Sequence, residues 1–497
     1  MTVQFSRRAV TALSESLPTS GSGLVRRLVW ARNDPGKERA AAADRIGFLD
    51  KTLSAPTSTM IEGAMRDVHV GNRQLATAVI ASVLGWSLDL FDLFTLLYVA
   101  PVIGDLFFPS TQPMLSLAAV YAAFAVTLLM RPVGSAVFGS YADRNGRKGA
   151  MVTTVIGVGV VTAAFGLLPT VEMVGVAAPI LFLILRLVQG VFVGGVVAST
   201  HTVATETIPA RWRGTVSGFI GGGGAGIGAL IASIVYYIAS SVFPGPAFAA
   251  WGWRFMFFAG ILSSVLGFFV FNALEESPLW QQLDRSKVSK QAPLRTLFSQ
   301  PHLNAFLVNL LITVGGGVGY YLTSGYMPTF LRVVLKIPTS VTSALLIAGS
   351  LVTIVAAISA GALSDWIGRK KTYLLFGILN IILLPMFYLA LAHQPGMGAV
   401  WTYSLAIAFL GNAAYAPTLI FLNERFPTAL RASGTGLSWN VGFAIGGMMP
   451  TFVSLASRSV DGLPAALAIF LAGAFIIYLI GAIVIAEPKR SQEGNAG

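Results

Sequence analysis

Apolar residues fall in twelve long runs, near 75–101, 113–138, 149–169, 176–204, 215–241, 252–273, 303–330, 341–363, 371–391, 399–423, 433–456 and 463–486. Short polar loops separate them. About 20 mostly apolar residues cross the roughly 30 Å of a bilayer core at 1.5 Å per residue. Each run is too long and too evenly apolar for a barrel strand, which alternates over about ten residues. The pattern predicts an all-α membrane protein with twelve transmembrane helices. Residues 1–70 are polar and mixed in charge, without the apolar core of a secretory signal. They are expected to form a disordered cytoplasmic tail. Charged residues recur at 274–302, a linker between 71–273 and 303–486, and at 487–497, a second tail.

Composition agrees with the pattern: 55% of the chain is hydrophobic, 11% is charged, and mean hydropathy is +0.73. Soluble chains run nearer a quarter charged. The net charge of +12 would suggest a polyanionic partner in a soluble protein. Its distribution says otherwise. With a cytoplasmic N-terminus, the inner loops and C-tail hold 16 Lys and Arg, and the outer loops hold 4. That bias is the positive-inside signal, so both termini are expected in the cytoplasm and no nucleic acid partner is needed. Cysteine is absent, which excludes disulfides and Cys-based zinc sites. The 4 histidines are scattered and no HExxH motif occurs. No metal, cofactor or enzymatic centre is expected.

The chain repeats itself. Gly139-Ser-Tyr-Ala-Asp143-Arg144-Asn-Gly146-Arg147-Lys148 aligns without a gap with Gly361-Ala-Leu-Ser-Asp365-Trp-Ile-Gly368-Arg369-Lys370, at an offset of 222. Glu206-Thr-Ile-Pro209-Ala-Arg-Trp-Arg213 matches Glu424-Arg-Phe-Pro427-Thr-Ala-Leu-Arg431 at an offset of 218. Two patterns recurring at nearly one offset indicate two pseudo-symmetric six-helix halves. Charged residues in these loops are placed to bridge helices on one face, and breaking such bridges suits alternating access. Asp143, Arg144, Gly146, Arg147, Lys148, Glu206, Arg213, Asp365, Arg369, Glu424 and Arg431 are therefore candidate gating residues.

These loops resemble the signatures of the major facilitator superfamily. Gly85-Trp-Ser-Leu-Asp89-Leu-Phe-Asp92-Leu-Phe, Leu106-Phe-Phe-Pro109, Arg131-Pro-Val-Gly134, Arg186-Leu-Val-Gln189-Gly190 and Tyr326-Met-Pro328 are similar to the metabolite:proton symporters within it. The resemblance implies the major facilitator fold and secondary transport. One departure stands out: after Gly194-Gly195 the symporter pattern continues with Glu, and Val196 stands here.

Four ionisable side chains lie well inside the apolar runs: Asp89, Asp92, Arg131 and Arg186. A charge at a helix centre costs about 2.5–3.5 kcal/mol on insertion scales, so each needs a partner or a pathway. Asp89 and Asp92 share one helix face, and two such close carboxylates suit reversible proton binding. Which of them carries the proton is open at this level. Arg186 sits at nearly the depth of Asp89, roughly 15–18 Å from the outer end. It suits either a fixed pair with Asp89 or bidentate contact with a substrate carboxylate, and Gln189 is a second donor one turn away. Arg131 is nearer the inner end, where a role at the inner gate is expected.

The second half supplies uncharged polar groups instead, Tyr320, Tyr321, Asn412 and Asn440 among them, as candidate substrate contacts. Gly221–Gly228 is glycine-rich without the Lys-Ser/Thr of a phosphate loop, and close helix packing is its expected use. The expected function is proton-coupled import of a small organic acid by alternating access. A zwitterion of betaine type and a proton-driven exporter are the alternatives, and the expected partners are the substrate, protons and the lipid bilayer. The helix-5 run lacks the Gly-Pro step of the antiporters. No folded output domain for a sensor is visible.

Overall fold

With no water in a bilayer core, every backbone N–H and C=O must be satisfied within its own segment, and the helix does this. The computed structural model describes residues 72–145, 147–207, 212–273, 297–300, 302–393, 396–426 and 428–485. The expected tails and nearly all of the linker lie outside these residues. Among the described residues twelve long helical runs follow one another, with a single short turn, Val171–Val174, between the third and fourth: α1 Asn72–Phe107, α2 Pro113–Asn145, α3 Arg147–Phe165, α4 Ala177–Thr207, α5 Arg213–Val242, and α6 from Phe248–Gly252 through Trp253–Phe258 to Gly260–Ala273. Then come α7 His302–Val334, α8 Thr339–Ile367, α9 Arg369–Ala392, α10 Met397–Arg425, α11 Thr428–Ser457 and α12 Leu463–Val484. Among the described residues there is no strand. Ten of these runs are long and apolar enough to cross a membrane, and α3 carries a shorter apolar stretch, Val152–Phe165.

Several helices depart from regularity. Pro101, Pro132, Pro385 and Pro450 lie inside helices. Wider π-turns occur at Phe219–Gly223 in α5 and at Tyr321–Gly325 and Phe330–Val334 in α7. Such turns often mark functional sites.

Small residues set the helix spacing. A Cβ at Gly134 would strike the Val191 carbonyl, and one at Gly194 would strike that of Arg131, so α2 and α4 touch backbone to backbone. This is the packing that small residues permit in membranes, where apolar burial alone does not drive association. It also sets Thr127 of α2 against α4, where its hydroxyl donates to the Arg186 carbonyl at 3.3 Å. The glycine run of α5 works the same way. Gly222 and Gly226 face Ala357 and Ile354 of α8, and Gly228 faces Ser87 of α1. Helices α5 and α8, and α2 and α11, carry most of the contact between the halves.

Candidate functional site

Four buried charges occupy the first half and sit on one side of α1. Asp89, Asp92, Arg131 and Arg186 are between 1% and 7% exposed. Arg186 Nη1 donates to Gln189 Oε1 at 2.6 Å, and Gln189 Nε2 donates to Asp92 Oδ2 at 2.6 Å. The same amide donates to Thr162 Oγ1 at 3.0 Å, and Thr162 bonds Asp92 Oδ1. The guanidinium lies over the Phe165 ring at 4.3 Å and the Phe182 ring at 5.2 Å. Its Nε and Nη2, which form one edge of the planar fork, find no hydrogen-bond partner among the described residues. Asp89 instead meets Arg131, whose Nη2 is 3.5 Å from Asp89 Oδ1, and Asp89 Oδ2 has no partner among the described residues.

The fixed Arg186–Asp89 pair, one of the two alternatives the sequence left open for Arg186, is not the arrangement found; two separate ones are. Arg186 reaches Asp92 through an amide, and Arg131 reaches Asp89 directly. Arg131, expected at the inner gate, turns its side chain to α1. Gln189, expected as a spare donor for substrate, has both ends of its amide already engaged. Thr162, Phe165 and Phe182 were missed because a lone Thr or Phe in an apolar run carries no sequence signal of its own.

On the other side of α1 lies a cavity of ≈ 30 Å³ between the halves, room for about one water. Its walls come from α1, α5, α7, α8 and α10, and none of its lining residues is charged. Phe94 and Tyr98 face it from α1, and Tyr320, Ser350, Ser404 and Asn412 from the second half. Three of its polar atoms, Tyr320 Oη, Ser404 Oγ and Asn412 Oδ1, have no hydrogen-bond partner among the described residues. Asn412 Nδ2 donates to Ser324 Oγ at 2.9 Å. Beside the cavity an aromatic cluster forms: Tyr320 packs on Phe94, Tyr321, Tyr415 and Phe443, with Trp439 stacked on Phe443 at 3.9 Å. Of the candidate substrate contacts, Tyr320 and Asn412 line the cavity. Tyr321 lies buried behind Tyr320 and against Phe124, and Asn440 is half-buried on α11 outside the cavity wall.

Contacts bridge the halves on both faces. On one, Asp365 at the end of α8 accepts from the backbone N–H of Gly214 (2.8 Å) and of Thr215 (2.7 Å), and from the Thr215 hydroxyl (2.8 Å). A carboxylate at these first-turn amides of α5 is favoured by the unsatisfied N–H groups and the helix dipole. Arg369 bonds Asp365 at 2.8 Å and Glu424 at 3.2 Å, locking the carboxylate in place. Lys370 donates to the Ile483 and Ile485 carbonyls at the end of α12. The structure so brings Asp365, Arg369 and Glu424 together, next to Arg213 at the start of α5. The side chains of Asp143, Arg144, Arg147, Lys148, Glu206 and Arg431, and Gly146 entirely, lie outside the described residues. On the opposite face Tyr121 of α2 stacks on Tyr326 of α7 at 4.9 Å and bonds Thr329 at 2.8 Å.

Comparisons with known proteins agree with this architecture. The family model described as Major Facilitator Superfamily matches residues 75–442. The chain is 29% identical over 398 residues to the glycine betaine/proline/ectoine/pipecolic acid transporter OusA of Dickeya dadantii, covering 78% of this chain and 79% of that one. It is 28% identical over 444 residues to the inner membrane metabolite transport protein YhjE of Escherichia coli, covering 87% and 99%. A solved structure of the E. coli xylose transporter XylE, in a partially occluded inward-open conformation, superposes with a TM-score of 0.65 at 18% identity. It covers 84% of this chain and 99% of that one.

Proposed function

This chain belongs to the Major Facilitator Superfamily, and on that premise we propose that it imports a small zwitterionic solute together with a proton, by alternating access. It is a multi-pass membrane transporter and not an enzyme. The observation that carries the substrate reading is the charge-free cavity with aromatic walls and three unengaged polar atoms. A net anion in such a cavity would be desolvated without a counter-charge, which is costly. A zwitterion brings its own. Its cationic end suits the aromatic faces of Phe94, Tyr98 and Tyr320, and its carboxylate suits the hydroxyls of Tyr320 and Ser404. Relatives named for glycine betaine and proline support the same chemistry. A cavity of this size admits a solute only when the halves part. The Asp365 latch on the face expected in the cytoplasm, and the Tyr121–Tyr326 stack opposite, are the contacts that part in turn.

A second reading, an organic-acid anion, is favoured by one feature: the free bidentate edge of Arg186, which suits a carboxylate. Uptake into proteoliposomes separates the two. An inward proton gradient should accelerate uptake of a labelled trimethylammonium or imino-acid zwitterion several-fold and leave a monocarboxylate at background. Acceleration of the monocarboxylate alone would transfer the assignment to organic acids. Uptake indifferent to the gradient would end the proton-coupling reading for either.

A further inference from the structure

We infer that Asp92 Oδ1 is the site of the transported proton and that the Thr162 hydroxyl is the positioning group that lets the site hold or release it. This rests on the proton-symport reading above. The inference follows from counting hydrogens. A guanidinium can only donate, so the Gln189 atom facing Arg186 must be its oxygen, at 2.6 Å. The Gln189 nitrogen then faces Asp92 and Thr162, and its two hydrogens go to Asp92 Oδ2 and Thr162 Oγ1. Thr162 has one hydrogen left and two acceptors in reach: Asp92 Oδ1 and, at 2.8 Å, the Val158 carbonyl one turn back on α3.

Those two choices correspond to two protonation states of Asp92. With the carboxylate ionised, Thr162 donates to Oδ1. With a proton on Oδ1, Asp92 donates to Thr162 Oγ1, and the Thr162 hydrogen turns to the Val158 carbonyl. Every polar atom of the Asp92 carboxyl, the Thr162 hydroxyl and the Gln189 amide is satisfied in both states, and only one hydroxyl rotates between them. The transported proton arrives from water on one side, binds Oδ1 and leaves to water on the other. The Thr162 hydrogen stays on Thr162 throughout. Asp89 differs: its Oδ1 faces Arg131 and its Oδ2 faces no donor among the described residues.

The state of the site reaches Arg186 through the amide. A hydrogen bond to an ionised acceptor is roughly twice as strong as a neutral one. Protonation therefore weakens the hold of Asp92 on Gln189 Nε2, and with it the tether that ends at Arg186 Nη1. The charged groups acting on Asp92 are Arg186 from α4, Arg131 from α2 and Asp89 on α1 itself.

The test is the pH profile of gradient-driven uptake in proteoliposomes, with thermal unfolding as a check on folding. Thr162→Val, which keeps the shape and removes the hydroxyl, should slow uptake about tenfold and displace the profile midpoint by about one unit, the worth of one hydrogen bond to a charged group. Thr162→Ser should restore both. Thr153→Val removes a hydroxyl with the same one-turn-back bond to Gly149, on the exposed face of α3, and should leave the profile in place. Should Thr162→Val fail to fold, Thr162→Cys keeps a weaker donor and should give an intermediate displacement. A Thr162→Val profile superimposed on that of the unaltered protein overturns the inference, as does pH dependence retained in Asp92→Asn. Gradient-independent uptake by the unaltered protein removes the symport reading and this inference with it.

Discussion

The interiors of the two halves are built on different chemistry. The first half buries Asp89, Asp92, Arg131 and Arg186, tying Arg186 to Asp92 through Gln189 with Thr162 alongside, and pairing Arg131 with Asp89. The second half lines the shared cavity with tyrosine, serine and asparagine and contributes no charge to it. Helix α1 is the partition, with carboxylates on one face and Phe94 and Tyr98 on the other. The difference teaches that proton and solute need not compete for one group. A charge network can respond to protons behind α1 while a neutral, aromatic cavity recognises the solute in front of it.

The severest way to break this comparison is Arg186→Leu. It leaves Asp92 buried without its nearest counter-charge, a change that costs about 3–5 kcal/mol in buried ion networks. A large drop in the unfolding temperature and loss of uptake are expected. Near-normal uptake would show that the first-half charges are dispensable. Asp365→Ala removes the acceptor for two backbone N–H groups at the start of α5, worth about 1–2 kcal/mol by analogy with helix caps. The outcome should be a population shift toward opening on that face. Because the chain contains no cysteine, single cysteines introduced along α5 would report it by labelling rate. Equal rates with and without Asp365 would mean the latch does not set the equilibrium. The smallest effect belongs to Tyr320→Phe, which deletes one unengaged hydroxyl in the cavity. A loss of about 1 kcal/mol should raise the KM for solute about fivefold and leave the pH profile alone. A displaced profile would show that the two sides of α1 are not separate.

Much of the fold was legible because hydropathy over 20 residues is a strong and local signal. All twelve expected runs correspond to helices. The repeat at offsets of 222 and 218 located the loop whose second copy, Asp365 with Arg369, grips α5. The site was legible in part. Asp89, Asp92, Arg131 and Arg186 stand out because charge inside an apolar run is expensive. Their partners do not, because pairing depends on helix rotation and on which helices touch. Equal depth left Asp89 as one possible partner of Arg186, beside a substrate carboxylate, whereas the structure sets Arg131 of α2 against Asp89.

By itself the sequence determined the number of helices, the two-half repeat and the short roster of buried charges, since each depends on composition over a local window. The tertiary structure alone decided that Gln189 stands between Arg186 and Asp92, that Thr162 completes the group from α3, and that the cavity lies across α1 from every charge. Those facts depend on angular position around helices drawn from distant parts of the chain. Backbone-close packing at glycines sets that position, and no linear pattern records it.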